Sequence, residues 1–191
     1  MIRDLVQKNR SYRRFYQEKE VPLSVLKELL SLTRFCASAS NRQPLKYILT
    51  HSPENNNLVF PCLSWAGYLT DWPGPEEGER PSAYIVILLD KSISENPWVD
   101  HGIAAQTMLL AATEKGYGGC IFGAIDKTKL KSNLALADHL EILLVVALGW
   151  PKEKVVIEDL GLGGSIKYYR DSESVHHVPK RKTEDVILGL E

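Results

Sequence analysis

Asp100-His-Gly-Ile-Ala-Ala-Gln-Thr-Met-Leu-Leu-Ala-Ala-Thr-Glu-Lys-Gly-Tyr-Gly-Gly-Cys-Ile-Phe-Gly-Ala124 carries the reading of the fold. Its first part predicts a helix that is apolar or small on nearly every face. Ile103, Ala104, Ala105, Met108, Leu109, Leu110, Ala111 and Ala112 leave only Gln106, Thr107 and Thr113 as polar interruptions. A helix of that kind is buried rather than laid on a surface. Charge returns at Glu114 and Lys115, and Gly116 is a stop signal, because glycine takes the left-handed conformation at little cost. Gly118-Gly-Cys-Ile-Phe-Gly123 follows, a short apolar strand with glycine at both ends. Glycine in such a run marks a place where a ligand or another backbone approaches closely. The order helix, glycines, strand is the reverse of the dinucleotide fingerprint, and Ile121 stands where its third glycine belongs. A dinucleotide-binding fold is set aside on that ground.

Upstream, residues 2–8 read as a short helix running into Asn9-Arg10-Ser11-Tyr12-Arg13-Arg14-Phe15. A guanidinium offers a donor fork suited to phosphate; on composition alone, a solvated basic surface is the simpler reading. Val21-Pro-Leu-Ser24 opens a second helix reaching about Phe35 or Cys36, with Leu26, Leu29, Leu30 and Thr33 on one face. Ala37-Ser-Ala-Ser-Asn-Arg-Gln-Pro44 ends it, because the residue before a proline is pushed to extended geometry. This segment is either a turn rich in Ser and Asn or a polar edge for a heteroatom-rich ligand. Lys46–Thr50 reads as a strand. Residues 52–81 read as a long connection, ambiguous over 58–68, and connections of this length are usually functional lids or mobile. Ala83–Leu89 is a continuous apolar strand buried on both faces.

Downstream, Asp126 is an N-cap for a helix over 127–137, and Leu140–Leu148 is a second apolar strand closed by Gly149-Trp-Pro151. Residues 152–182 are charged and read as irregular; a short helix over 183–188 closes the chain. A tail of this kind has no core of its own and wraps over the body of the fold or over a partner chain. The 191 residues read as one domain, with 152–191 as an extended C-terminal arm.

The formal net charge is -1, without the basic excess of a nucleic-acid binder. No apolar run approaches a membrane span, and residues 1–8 lack a secretory core. Cys36, Cys62 and Cys120 match no zinc or redox spacing and read as small core residues, so the expectation is a soluble, cytoplasmic protein. Catalytic side chains are hard to find. There is no Gly-x-Ser-x-Gly elbow and no phosphate loop. His176 and His177 point to opposite faces if they lie in a strand, and no metal site is expected. What remains is an anion site: Arg10, Ser11 and Arg13 near one end, Lys180, Arg181 and Lys182 near the other, with termini that commonly lie close together. A ligand that brings its own chemistry needs only to be bound, oriented and tuned.

Four stretches together resemble the FMN-dependent nitroreductase family across essentially the whole chain. Arg10-Ser-Tyr-Arg-Arg-Phe15 is similar to its opening Arg-Ser-x-Arg-x-Phe motif, and Ser38-Ala-Ser-Asn-Arg-Gln-Pro44 to its Ser-x-x-Asn-x-Gln-Pro segment. Asp100–Gly123 resembles its central helix and the glycine-flanked strand, and Leu140–Pro151 the strand and turn that follow. The resemblance implies an α+β fold, a central, mostly antiparallel sheet between helices, and an intertwined homodimer with FMN at the interface. It implies Arg10, Ser11 and Arg13 on the phosphate, ribityl chain and pyrimidine edge. Ser38, Ser40, Asn41 and Gln43 approach the flavin, some from the other subunit. Phe122, Gly123 and Ala124 pass the ring edge with backbone N–H groups, and Lys180 or Arg181 returns to the phosphate. The implied activity is ping-pong: NAD(P)H reduces the flavin, then an electron-poor acceptor, a nitroaromatic or a quinone, takes its place. Two departures stand out: Asn9 where many members carry an arginine, and Leu45 in place of a frequent Trp.

Overall fold

The strand Ala83–Asp90 is buried along its whole length because it has a core on each face. On one face Tyr84, Val86 and Leu88 pack with Val59, Trp65, Phe122 and Val145. On the other, Ile85 and Ile87 pack with Leu26, Leu29, Met108 and Leu109. The two-residue period of a strand sends successive side chains to opposite layers, so an unbroken apolar run is what a central strand of a three-layer fold requires.

The computed structural model describes residues 1–189. Its elements run α1 (Ile2–Lys8), α2 (Leu23–Ser31), β1 (Leu45–Thr50), α3 (Pro53–Val59), β2 (Ala83–Asp90), α4 (Asp100–Glu114), β3 (Gly118–Phe122), α5 (Lys127–Asn133), β4 (Leu140–Gly149), β5 (Val155–Asp159), β6 (Tyr169–Arg170) and β7 (His176–Lys180). The main sheet has the order β1-β2-β4-β3, with every neighbouring pair antiparallel. The α+β class with an antiparallel sheet between helices is thus the observed one. Among the described residues no helix is long and apolar enough to cross a membrane.

α4 ends as its sequence requires. Gly116 has φ +85°, its N–H donates to the Thr113 carbonyl, and the Tyr117 N–H donates to that of Ala112. These paired bonds close a helix in a left-handed glycine turn. The helix is less enclosed than its composition predicts. Ala104, Ala105, Met108, Leu109 and Ala112 are buried, while Gly102 and Gln106 are exposed and Ile103, Leu110 and Thr113 are half-buried. One chain supplies neighbours for only part of its circumference.

The glycines of β3 serve the protein itself. A Cβ on Gly118 would lie 2.5 Å from Tyr12 Cδ2 and 2.6 Å from Pro151 Cγ; one on Gly119 would lie 2.5 Å from Leu109 Cδ2 and 2.6 Å from the Ala147 carbonyl. Gly119 makes room for α4 and β4, and Gly118 lets the Arg10–Phe15 segment lie against the free edge of β3, where the Tyr12 N–H donates to the Gly119 carbonyl at 3.0 Å. Gly123 is different: its Cβ would meet only Leu144 Cδ2, at 3.9 Å.

Four sequence expectations are corrected. Residues 52–81 are not a bare loop. Ser52 caps α3 by accepting from the Asn55 N–H, with Pro53 in the first turn, and Trp65 is buried in the core. Three consecutive asparagines, weak helix formers, hide that start signal. The helix after Asp126 stops at Asn133 because Ala135 turns left-handed, at φ +48°, and Leu134 and Leu136 then fold back onto the core. The tail is not irregular. It forms a second sheet of order β5-β7-β6 in which β5 and β7 are parallel, and it packs on its own chain. The closing helix is a single 3-10 turn, Thr183–Asp185; the last two residues of the expected arm, 190–191, lie outside the described residues. The helix begun at Leu23 tightens from α to 3-10 geometry over Leu32–Phe35.

His177 ties the second sheet together. Its Nε2 is 3.0 Å from an Asp171 carboxylate oxygen and its Nδ1 faces Glu158. Hydrogen bonds to Asp171, then to Glu158, raise its pKa above the usual histidine value. A raised folded pKa adds stability that is complete below about pH 6.5 and is lost as the pH climbs through the folded value. Protection of β5–β7 amides from hydrogen exchange, corrected for intrinsic rate, is expected to fall on that alkaline side, and His177→Gln to remove the dependence. In a separate check by urea denaturation, Gly119→Ala is expected to cost about 1–3 kcal/mol through overpacking; Gly123→Ala is expected to stay within about 0.5 kcal/mol.

Candidate anion and cofactor site

The Arg10–Phe15 segment sorts its three arginines by direction. Arg14 turns back into the protein, where its Nε and Nη2 donate to the Glu79 carboxylate, which Lys152 also meets at 2.9 Å. The Arg14 hydrogen bond, followed by Lys152, drives Glu79 down to about 2. Arg14 is therefore a structural tie. The basic-surface reading fails for it, and so does a ligand role.

Arg10 and Arg13 face outward into a cavity of about 320 Å³. Its wall holds Asn9, Arg10, Ser11, Arg13, Gln106, Leu109, Ile121, Val155, Tyr168, His176, Val178 and Lys180. No carboxylate is among them. Arg10 Nη2 donates to the Val6 carbonyl at 2.7 Å, but its Nε is buried without a partner. A buried donor left unpaired costs about 1–3 kcal/mol. Arg13 Nη1 donates to the Ser11 carbonyl at 3.2 Å. Lys180 joins from β7, so one residue of the C-terminal basic cluster meets Arg10 and Arg13 in one cavity. Arg181 and Lys182 do not join them; they line a separate cleft with Gly161–Gly164 and Asp185.

The segment Ser38–Gln43 lies elsewhere. Ser38, Asn41 and Gln43 line a cavity of about 250 Å³ with Cys36, Tyr47, Asp100 and Ala104. Asp100, buried in the first turn of α4, organises this loop: it accepts from Ser38 Oγ at 2.6 Å and from the Ala39 N–H at 3.0 Å. Ser38 Oγ in turn accepts from the Gln43 N–H at 2.9 Å. The loop is tightly wound, with positive φ at Ser40, Asn41 and Gln43. Ser40 lines neither cavity. α4 contributes to both cavities, Gln106 and Leu109 to one and Asp100 and Ala104 to the other, so within one chain they do not merge.

At the end of β3, Phe122 points away from both cavities. Its ring meets Trp65 edge-on at 4.6 Å inside the core, leaving only its backbone for a ligand. Gly123 and Ala124 are exposed, and the Ala124 carbonyl accepts from the Ser64 N–H at 3.0 Å. Ile121 is the side chain of β3 that faces the cation cavity; sequence reading passed over it. It also passed over Tyr168, Val178 and His176. A signal for two of them existed: with 176–180 taken as a strand, the face that carries Lys180 also carries Val178 and His176.

The donor set suits a phosphate-bearing cofactor such as FMN. Three cations converge with no acid in the wall, and Gly123 leaves bare backbone just past the end of β3. Replacing Asp100 with Ala is expected to unwind the Ser38–Gln43 loop at a cost of about 2–4 kcal/mol, two charge-assisted hydrogen bonds being lost. Thermal denaturation and proteolysis after Arg42 would report it.

Comparison with known proteins agrees with this geometry. A candidate NADH dehydrogenase/NAD(P)H nitroreductase of Methanothermobacter thermautotrophicus is 25% identical over 166 residues, which cover 83% of this chain and 82% of that protein. Among solved structures, an FMN-dependent nitroreductase from Clostridium difficile R20291 superposes with a TM-score of 0.62 at 21% identity, covering 78% of this chain and 87% of that one. An enone reductase of gut-bacterial fatty acid saturation superposes with a TM-score of 0.67 at 15% identity, covering 80% and 90%. These two likenesses establish the fold. The nitroreductase family model matches residues 6–63 and 79–150, the span that holds both arginines of the cavity, the Ser38–Gln43 loop, α4 and the whole main sheet, and on that match the chain belongs to the nitroreductase family.

Proposed function

We propose that this chain is an NAD(P)H-dependent oxidoreductase that binds FMN through Arg10, Ser11, Arg13 and Lys180. The observation that carries the reading is the cavity that gathers Arg10, Arg13 and Lys180 without a carboxylate in its wall. Family membership and the NAD(P)H nitroreductase relative support the redox assignment. Bound FMN would supply the chemistry, taking a hydride from NAD(P)H and reducing an electron-poor acceptor, a nitroaromatic or a quinone, in the second half of a ping-pong cycle.

The chain's own residues bind and orient. The Arg10 and Arg13 guanidinium groups offer planar donor forks to a phosphate, and Lys180 adds a compact charge. The Gly119 carbonyl, engaged by Tyr12, faces the free edge of β3. The two-residue period turns Ile121 and Gly123 backbone groups toward the same edge, and a bare Gly123 keeps it open to a flat ring.

Ser38, Ser40, Asn41 and Gln43 are assigned to the same site of a second copy in a homodimer. Support comes from their separation from the cation cavity within one chain and from the uncovered stripe of α4 at Ile103, Gln106, Leu110 and Thr113. Exposed Val186, Ile187 and Leu188 give that second copy further apolar surface to cover. Free thiols at Cys36, Cys62 and Cys120 suit the reducing cytoplasm.

The purified protein is expected to be yellow, with a flavin spectrum that NADH or NADPH bleaches anaerobically. Colourless protein that stays apo when mixed with FMN would sink the proposal; flavin retained but unbleached would leave a binding protein. Arg10→Ala and Arg13→Ala are each expected to weaken FMN binding roughly 10–100-fold, since a hydrogen bond to a charged group contributes about 1.5–3 kcal/mol. Gly123→Val is expected to keep the fold and lose flavin. Full flavin content in that variant would mean that the ring lies elsewhere.

A further inference from the structure

β7 presents three residues to the cation cavity at the spacing of a strand face: His176, Val178 and Lys180. Lys180 has an evident task and Val178 is apolar lining. His176 has none assigned by the chemistry described so far, yet its side chain is completely buried. Its Nε2 lies 3.2 Å from Arg13 Nη1. A guanidinium nitrogen only donates. With that contact as a hydrogen bond, Nε2 accepts, the ring is neutral, and its proton sits on Nδ1, which is buried without a partner of its own. Burial, then the neighbouring Arg13 and Arg170 charges, press the imidazole down to about 4, in agreement with that state.

The Arg13 guanidinium is held on two further sides. It donates to the Ser11 carbonyl, and the Tyr168 ring lies under it at 4.8 Å. Tyr168 is itself fixed by the Tyr68 ring at 4.9 Å and by the His176 ring at 5.2 Å. A carboxylate close by, Glu153, is taken up by the backbone N–H groups of Arg13 and Arg14 and by Arg170 Nη2. Every group on the Arg13 guanidinium among the described residues is thus uncharged: a carbonyl, an imidazole and an aromatic face.

We infer that His176, backed by Tyr168, is a positioning residue that aims Arg13 into the anion cavity without neutralising it. A carboxylate in the same place would orient the guanidinium equally well. It would also cancel the charge and repel a phosphate arriving beside it. A neutral acceptor fixes the long side chain before the ligand comes, so less rotamer freedom is lost on binding. The C-terminal arm, which carries both residues, becomes part of the site instead of a covering. This rests on the FMN reading above for the identity of the ligand, and on the Arg13 contact alone for the device.

Two measurements test it. Histidine 15N NMR on the flavin-free protein at pH 7 is expected to show His176 neutral with the proton on Nδ1; a charged ring, or a proton on Nε2, would overturn the inference whatever the flavin does. FMN affinity by fluorescence quenching is expected to fall tenfold or more in His176→Leu and to stay within threefold of the parent in His176→Gln, whose amide oxygen reaches about where Nε2 sits. In an Arg13→Ala background, His176→Leu is expected to cost nothing further, because coupled residues are non-additive. Parent-like affinity in His176→Leu, or an equal loss with and without Arg13, would overturn the positioning role. A parent chain that shows the Nδ1–H tautomer but binds no FMN would support the His176–Arg13 device and count against FMN as its ligand.

Discussion

The approach of the Ser11–Tyr12 backbone to the bare edge of β3 is the constraint on which the site depends. Tyr12 donates to the Gly119 carbonyl, and it can do so because Gly118 carries nothing that would push the Tyr12 ring away. The same segment is stapled at its far end, where the Phe15 N–H meets the Glu79 carbonyl and the Tyr16 N–H meets that of Trp150. The segment is not a regular strand: besides its bond to Gly119, the Tyr12 N–H turns back onto the Arg10 carbonyl at 3.0 Å, so its side chains do not alternate with a two-residue period. Held at both ends, the segment delivers Arg10 and Arg13 to the cavity and Arg14 to Glu79.

Charge partition follows from that commitment. The acids nearest the segment are used up inside the protein: Glu79 by Arg14 and Lys152, Glu153 by two backbone N–H groups and Arg170. Arg170 in turn rests on the Trp72 ring at 4.2 Å, tying the C-terminal sheet to the connection after α3. The cations of the cavity are left without counter-ions in its wall. Like charges gathered in this way are unfavourable to folding, and a resident anion is the physical remedy.

α4 divides what it organises. Its small and apolar residues fill the space between the sheet and α2, its buried Asp100 winds the Ser38–Gln43 loop, and Gln106 and Leu109 wall the cation cavity on another side. A single helix cannot bring both of its sides to one ligand. In the proposed homodimer the same helix meets both requirements, because each copy supplies the half that the other lacks.

Local chemistry in the sequence determined a good deal. Continuous apolar runs at 83–89 and 140–148 specified central strands, Gly116 specified a helix stop, Asp126 a helix start, and the motif order identified the family. These signals are short-range, set by periodicity and by the few residues that tolerate special backbone angles. Tertiary structure alone decided the rest. Phe122 and Ser40 could not be separated from true lining residues by spacing, since a strand period assigns a face but not what covers it. Arg13 and Arg14 are chemically identical neighbours, and only the positions of Glu79 and Glu153 make one a tie and the other a free cation. His176 took its place from the pairing of β7 with β5, a parallel contact across 21 residues, which carries no local mark because its partners are brought together by packing and not by sequence proximity.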